Sequence, residues 1–132
     1  MIALDANILL RIVVQDDARQ LAIARDLVTS EATFVPLTVT LECEWVLRSF
    51  YKYRREQIAA AIDSLTDLGR IVFEHVGGVR WALDRLLAGA DFADMIHIVQ
   101  SRIAGASALA TFDDGIDAEA GPDSPLPVRT LD

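Results

Sequence analysis

Met1-Ile2-Ala3-Leu4-Asp5-Ala6-Asn7 opens the chain, and its reading decides the fold. Four apolar residues end at a carboxylate, and an asparagine follows two positions later, where the pattern turns helical. This predicts a first β-strand with Asp5 at its carboxyl end. In α/β sheets, ligands bind outside the carboxyl ends of the strands. Three further acids occupy comparable places: Glu42 within an apolar helix, Asp94 at a helix start and Asp113 just after a short strand. Acids so placed cost desolvation energy unless a cation joins them. A divalent metal is the simplest such cation.

Working outward, short strands alternate with helices. Asn7 to Val13 reads as a short helix with Asn7 as its cap. After Asp16 and Asp17, the residues Ala18, Leu21, Ala22, Ala24 and Leu27 form a helical stripe within Ala18 to Val28. Ala32 to Val35 is β-like and stops before Pro36. Thr38 or Thr40 is placed to cap the helix carrying Leu41 to Tyr51. Another helix, from Arg55 to Leu68, is apolar at Ile58, Ala61, Ile62 and Leu65, with Gly69 beyond its end. Arg70 to Phe73 is a strand, Val79 to Leu87 a helix, Phe92 to Ile103 a further helix, and Ala108 to Ala110 a strand. Residues 115 to 127, rich in Gly, Pro, Asp and Ser, read as loop, and Val128 to Thr130 as an edge strand. The order predicts an α/β fold: a three-layer α/β/α sandwich around a central parallel sheet, with the first strand near the middle. One domain spanning residues 1–132 is expected.

Composition narrows the function. Apolar residues make up 52% of the chain, and part of that surplus suits a subunit interface. The single cysteine, Cys43, excludes an internal disulfide and a multi-cysteine zinc site, and its apolar setting predicts a buried, unreactive thiol. The start lacks a basic segment and carries Asp5 inside its apolar run, and no apolar stretch is long enough to span a bilayer. A cytoplasmic protein without membrane association is expected. Twenty acids against 12 Lys and Arg give a net charge of −8, which argues against coating nucleic acid by electrostatics alone. A metal-dependent nuclease remains compatible, because part of the negative charge would belong to the metal site. Arg48, Lys52, Arg54 and Arg55 form a dense basic group, readable either as a phosphate contact or as a solvated helix end.

The acids differ in character. Glu42 and Glu44 lie about 200° apart around one helix, so both cannot face one site. Glu42 is the choice for the site, and Glu44 is expected to be a surface acid, with Leu41 and Trp45 on the apolar side. Asp91 is placed to cap its helix and Asp94 to lie in the first turn, where a carboxylate is favoured by the helix dipole even without a ligand. His97, three residues on, reads as a packing or supporting group near Asp94. Asp113 mirrors Asp5 beyond a strand end, although Asp113-Asp114-Gly115 is also good turn chemistry. Thr111 is placed to hydrogen-bond a site carboxylate or a phosphate. Oxygen-only ligands suit Mg²⁺ or Mn²⁺ rather than zinc, and such ions support phosphodiester hydrolysis. Neither histidine accompanies a nucleophile elbow, and Gly77-Gly78 lacks the spacing and lysine of a phosphate-binding loop.

Taken together, these segments resemble the PIN-domain ribonucleases, and within them the VapC-like toxins of prokaryotic toxin–antitoxin pairs. The resemblance covers nearly the whole chain. Leu4-Asp5-Ala6-Asn7-Ile8-Leu9-Leu10-Arg11 is similar to the family's opening, Leu41-Glu42-Cys43-Glu44-Trp45-Val46-Leu47 to its central helix, Asp91-Phe92-Ala93-Asp94-Met95-Ile96-His97 to its third motif and Thr111-Phe112-Asp113 to its last. One departure is Ala6, where many members carry a hydroxyl residue. The resemblance implies a PIN-like fold and a Mg²⁺-dependent endoribonuclease, with Mn²⁺ as the alternative ion. Asp5, Glu42, Asp94 and Asp113 are then the catalytic and metal-holding acids, Asp91 an accessory acid, and Asn7 and Thr111 supporting residues. It further implies a homodimer, a cognate antitoxin that obstructs the acidic site, and structured RNA such as transfer or ribosomal RNA as substrate. Arg11, Arg48, Lys52 and Arg55 are candidate RNA contacts. Two other readings are a catalytically inactive PIN-like protein-interaction module and a small metal-dependent phosphatase using Asp5. The phosphatase lacks the usual acid two residues after Asp5, where Asn7 stands.

Overall fold

Strands of two or three residues cannot stand alone, so helices must carry this structure. The computed structural model describes all 132 residues and resolves into two compact units, Met1–Val76 and Gly77–Asp132. Each is described by itself.

The first unit runs β1 (Ile2–Ala3), α1 (Ala6–Val14), α2 (Ala18–Ser30), β2 (Thr33–Val35), α3 (Leu37–Ser49), α4 (Arg55–Thr66) and β3 (Ile71–Phe73). Its three strands are parallel in the order β1-β2-β3, with Ile2 opposite Thr33 and Thr33 opposite Ile71. Parallel neighbours require crossover connections, and the helices supply them. The first strand therefore lies at the edge of this hydrogen-bonded sheet, not at its middle as expected. β2 is central because it alone is paired on both sides, with Thr33 and Val35 fully buried.

Helix starts in this unit differ instructively from expectation. Asp5, not Asn7, caps α1: its extended backbone places Oδ1 2.8 Å from the Ala6 N–H it accepts. Ala6, Leu9, Leu10 and Ile12 then face inward at helical spacing. In α2 the buried residues are Ala24 and Val28, while Ala18 and Ala22 are exposed, so the stripe is rotated from the expected one. α3 begins at Leu37, directly after Pro36, and neither Thr38 nor Thr40 caps it. The Leu37 N–H donates instead to Glu74 Oε1 at 2.9 Å, from 37 residues further along the chain. Thr40 donates its hydroxyl back to the Pro36 carbonyl. α4 buries Ile58, Ala59, Ile62 and Leu65, close to the predicted face.

The second unit contains α5 (Val76–Leu87, starting at the boundary), α6 (Phe92–Ile103), β4 (Leu109–Thr111), α7 (Ile116–Ala120) and β5 (Val128–Thr130). β4 and β5 pair in parallel, with Leu109 opposite Val128 and Thr111 opposite Thr130. Val79, Ala82, Leu83 and Leu86 on α5 are buried, as are Phe92, Met95, Ile96, Ile98 and Val99 on α6. The predicted loop at 115–127 contains α7, whose Ile116 and Ala120, four residues apart, are both buried. Helices alternating with exclusively parallel strands give the expected α/β class. No helix is long and apolar enough to cross a membrane.

The long-range cap on α3 yields a stability prediction. Glu74→Ala removes an anionic acceptor from a helix N-terminus and should lower unfolding free energy by about 1 kcal/mol. Glu74→Gln, which keeps an acceptor, should lose less. Urea denaturation of the three proteins measures this, and equal midpoints would show that the bond contributes nothing.

Candidate functional site

The candidate acids fall into two groups, one in each unit. In the first unit, Asp5 is exposed just past β1, with Oδ1 occupied by the start of α1 and the Asn7 side-chain amide 3.5 Å from Oδ2. Glu42 is exposed on α3. The buried Cys43 thiol, next to Glu42 on α3, is pushed up to about 12 first by burial and then by the charges of Glu42 and Asp5. The thiol thus registers the charge of both carboxylates. It stays protonated at neutral pH, in keeping with the expected inert cysteine, and is a poor metal ligand.

Glu44 is not the surface acid expected. It is only 3% exposed and accepts from Arg48 Nε at 2.9 Å, one helical turn on. The buried face of α3 is Leu37, Thr40, Cys43, Glu44 and Leu47, and Trp45, expected on the apolar side, is 57% exposed. The correction has a simple cause. Glu44 falls on the same stripe as Leu37, Thr40 and Leu47, at i+7, i+4 and i−3 from them, and Arg48 at i+4 neutralises it there. Arg48 is therefore part of the helix's own charge balance as well as an RNA-contact candidate.

Arg11, another candidate contact, is paired with Asp16 at 2.5 Å, and Tyr51 donates its hydroxyl to the other Asp16 oxygen at 3.3 Å. The Arg11 hydrogen bond holds the Asp16 carboxyl below its usual range, and Asp16 in turn raises Arg11. Arg11 Nε is buried without a hydrogen-bond partner. A shallow groove beside it is lined by Asn7, Ile8 and Arg11 from α1 and Gln20, Ile23 and Ala24 from α2.

In the second unit, Asp91 caps α6 by accepting the Asp94 N–H at Oδ1, 3.1 Å away. Asp94 sits half-buried in the first turn. Its carboxyl is held above the usual range by burial first, then by the negative charges of Asp91, Glu119 and Asp113, with His97 opposing them. Asp113 accepts the Gly115 N–H at 2.8 Å and donates its own N–H to Thr111 Oγ1 at 3.0 Å. The Thr111 hydroxyl therefore positions Asp113 through the backbone. Glu119, on α7, was not singled out from sequence. Its carboxylate lies 3.5 Å from the Asp91 N–H, and its carbonyl accepts from Arg85 Nε at 2.6 Å. The apolar pair Ile116 and Ala120 was the signal that residues 115–120 are helical, and turn-rich composition obscured it.

All these donors are carboxylate oxygens, the chemistry that hard Mg²⁺ or Mn²⁺ takes, and the crowding around Asp94 is the electrostatic state a cation relieves. Yet no group of three or more His, Cys, Asp or Glu side chains is gathered so as to hold an ion on its own. Asp91, Asp94, Asp113 and Glu119 share a field rather than a finished coordination sphere.

With this geometry in view, comparison with known families is informative. The PIN domain family matches residues 2–121, and the chain belongs to that family. PIN domains are generally nucleases, so the fold is of nuclease type. A search of curated proteins gave no match.

Two predictions follow from these charges. The native state holds a proton on Asp94 that the unfolded chain releases near the usual value of 3.8. Metal-free stability should therefore fall as pH rises from there through the raised native value, then stay lower above it. Asp94→Asn should remove this dependence, melting higher than the native protein at neutral pH while gaining less from added Mn²⁺. Calorimetry across pH checks both, and a lower-melting metal-free variant at pH 7 would refute the charge argument. For α3, Arg48→Ala leaves Glu44 buried without that ion pair and should cost roughly 1–3 kcal/mol. Adding Glu44→Leu should recover part of the loss in a double-mutant cycle.

Proposed function

We propose that this chain is a Mg²⁺- or Mn²⁺-dependent endoribonuclease acting as the toxin of a toxin–antitoxin pair. The observation that carries the reading is the setting of Asp94, whose ionisation is opposed first by burial and then by the charges of Asp91, Glu119 and Asp113. A fold does not need such repulsion, and a hard cation turns it into binding energy. Asp5, Glu42, Asp94 and Asp113 are proposed as the metal-holding acids, with Asp91 accessory and Glu119 added to that set. Such an ion, when bound, screens the phosphate and acidifies a water. The chain's own part is to keep the carboxylates in place. Asp5 and Asp91 are held at helix starts, Asp113 by Thr111 and Gly115, and Asn7 reaches toward Asp5.

The toxin assignment rests on the four ordered motifs, and it brings a cognate antitoxin, a homodimer and a cytoplasmic location with it. A net charge of −8 suits a basic partner segment. Exposed Ile23, Val72, Leu87 and Ile103 offer apolar surface for assembly. Transfer or ribosomal RNA is the proposed substrate, with Arg11, Arg48, Lys52 and Arg55 as phosphate contacts. The phosphatase reading is weaker, because Asp5 Oδ1 is engaged with the Ala6 N–H and Asn7 replaces the partner acid.

Cleavage of transfer and ribosomal RNA by purified protein, with Mg²⁺ or Mn²⁺ and in chelator, tests the proposal. Asp5→Ala and Asp94→Ala should each lower the single-turnover rate at saturating RNA by at least about a hundredfold. Glu119→Gln should lower it less, through Asp94. Native rates in both alanine variants would overturn the site. No metal-dependent cleavage of any RNA would favour the non-catalytic interaction module instead.

A further inference from the structure

α7 spans five residues, too few for a helix to persist by its own bonds, and only Ile116 and Ala120 anchor it by burial. Yet it carries Glu119, whose carboxylate lies 3.5 Å from the Asp91 N–H at the start of α6. Arg85, in the last turn of α5, meets α7 from outside. Its Nε donates to the Glu119 carbonyl at 2.6 Å, one of the final carbonyls that a helix leaves open. The bond is charge-assisted and sets a cation at the negative end of α7.

The guanidinium is fitted to this place. Gly121 ends α7 at φ +76°, and a Cβ there would lie 3.3 Å from Arg85 Cζ and 3.4 Å from both terminal nitrogens. Those near-equal distances mean that the flat face of the guanidinium, not its edge, rests on the glycine. Glycine meets both demands, taking the positive φ without strain and leaving room for the plane. The main chain of Arg85 is tied as well. Its carbonyl accepts the Ala90 N–H at 2.9 Å, in the turn that delivers Asp91. From that carbonyl through Ala90 and Asp91 to the Glu119 carboxylate, and from the Glu119 carbonyl back to Nε, the contacts close a ring.

Three roles for Arg85 can be weighed against these contacts. A cation in a last turn is favoured by the dipole of its own helix, but lysine would serve that end equally and needs no glycine beneath it. A counter-ion for the acidic field would aim at a carboxylate, whereas Nε is spent on a carbonyl. The third role is spacing, because one residue holds both the turn before α6 and the end of α7. We propose that Arg85 is a positioning residue of the acidic site, holding α7 so that the Glu119 carboxylate stays beside Asp91 and serves the same ion as Asp94. The inference rests on the metal-dependent reading above and adds a support for it from α5, outside the acids themselves.

Calorimetric titration of the full chain with Mn²⁺ alone tests this, with melting of the metal-free proteins as the check on folding. Arg85→Lys keeps a cation in the last turn of α5 but lacks the planar donor. It should weaken Mn²⁺ binding by roughly tenfold while still unfolding in one cooperative transition. Glu119→Gln should weaken binding to a similar degree. The double variant should bind no more weakly than either single one, because the arginine acts through that carboxylate. The Asp91 amide resonance gives a second, metal-free readout. Arg85→Lys should shift it in the native background and leave it in place once Glu119→Ala has removed the carboxylate. Native affinity in Arg85→Lys, additive losses in the double variant, or an Asp91 shift that persists without the Glu119 carboxylate would each overturn the proposal. So would loss of the cooperative transition in Arg85→Lys, which would make the arginine a support of the whole fold. Any of these alongside Mn²⁺ binding by the native chain leaves the metal reading standing. A native chain that binds no Mn²⁺ refutes that reading and, with it, the role of Arg85 toward the ion.

Discussion

A carboxylate oxygen accepting a backbone N–H recurs at several acids of this chain. Asp5 holds Ala6, Asp91 holds Asp94, Asp113 holds Gly115, and Glu74 reaches across the sequence to hold Leu37. Each bond satisfies a donor that a helix start or turn leaves open, and each is charge-assisted. Three of those acids are also members of the candidate site. Local folding energy therefore maintains the site's geometry, offsetting part of the repulsion among its charges. With Oδ1 tied to the backbone, Asp91 and Asp113 would each meet a ligand through the second oxygen, while Asp5 Oδ2 is approached by the Asn7 amide.

That arrangement, together with burial, explains why the Asp94 carboxyl is held above its usual range. It is half-buried and surrounded by groups whose positions are set by backbone bonds, so it cannot move away from their charge. His97 supplies a partial counterweight, and Arg85 engages the carbonyl rather than the carboxylate of Glu119. Elsewhere the chain neutralises itself more fully. Glu44 has Arg48, and Asp16 has both Arg11 and Tyr51. The contrast separates structural acids, which have hydrogen-bonded cationic partners of their own, from those whose charges chiefly meet one another's.

Much of this was readable in the sequence. Strand positions, the helix over Phe92–Ile103 and its Asp91 cap follow from apolar spacing and cap chemistry, which act within a few residues. The misreadings share a cause. Neither Thr38 nor Thr40 caps α3, because Glu74 arrives from the end of β3, and no local pattern records that approach. Glu44 and Trp45 exchanged their expected surroundings because one turn of helix admits two faces, and packing against the rest of the unit chose between them. Glu119 went unnoticed because a five-residue helix carries too few apolar positions to stand out from turn-rich neighbours.

By itself, then, the sequence determined the alternation of elements, the parallel α/β class, the PIN family's ordered acidic motifs and the strand-end position of Asp5. These depend on residue spacing and on short-range caps. Tertiary structure alone decided that β2 rather than β1 is the paired-through strand of the first sheet. It also decided that Glu42 is exposed while Glu44 is buried, and that Glu119 joins the field around Asp94. Those outcomes depend on which groups distant in the chain meet and on how much water they lose in meeting, and no periodicity along a single element contains that information.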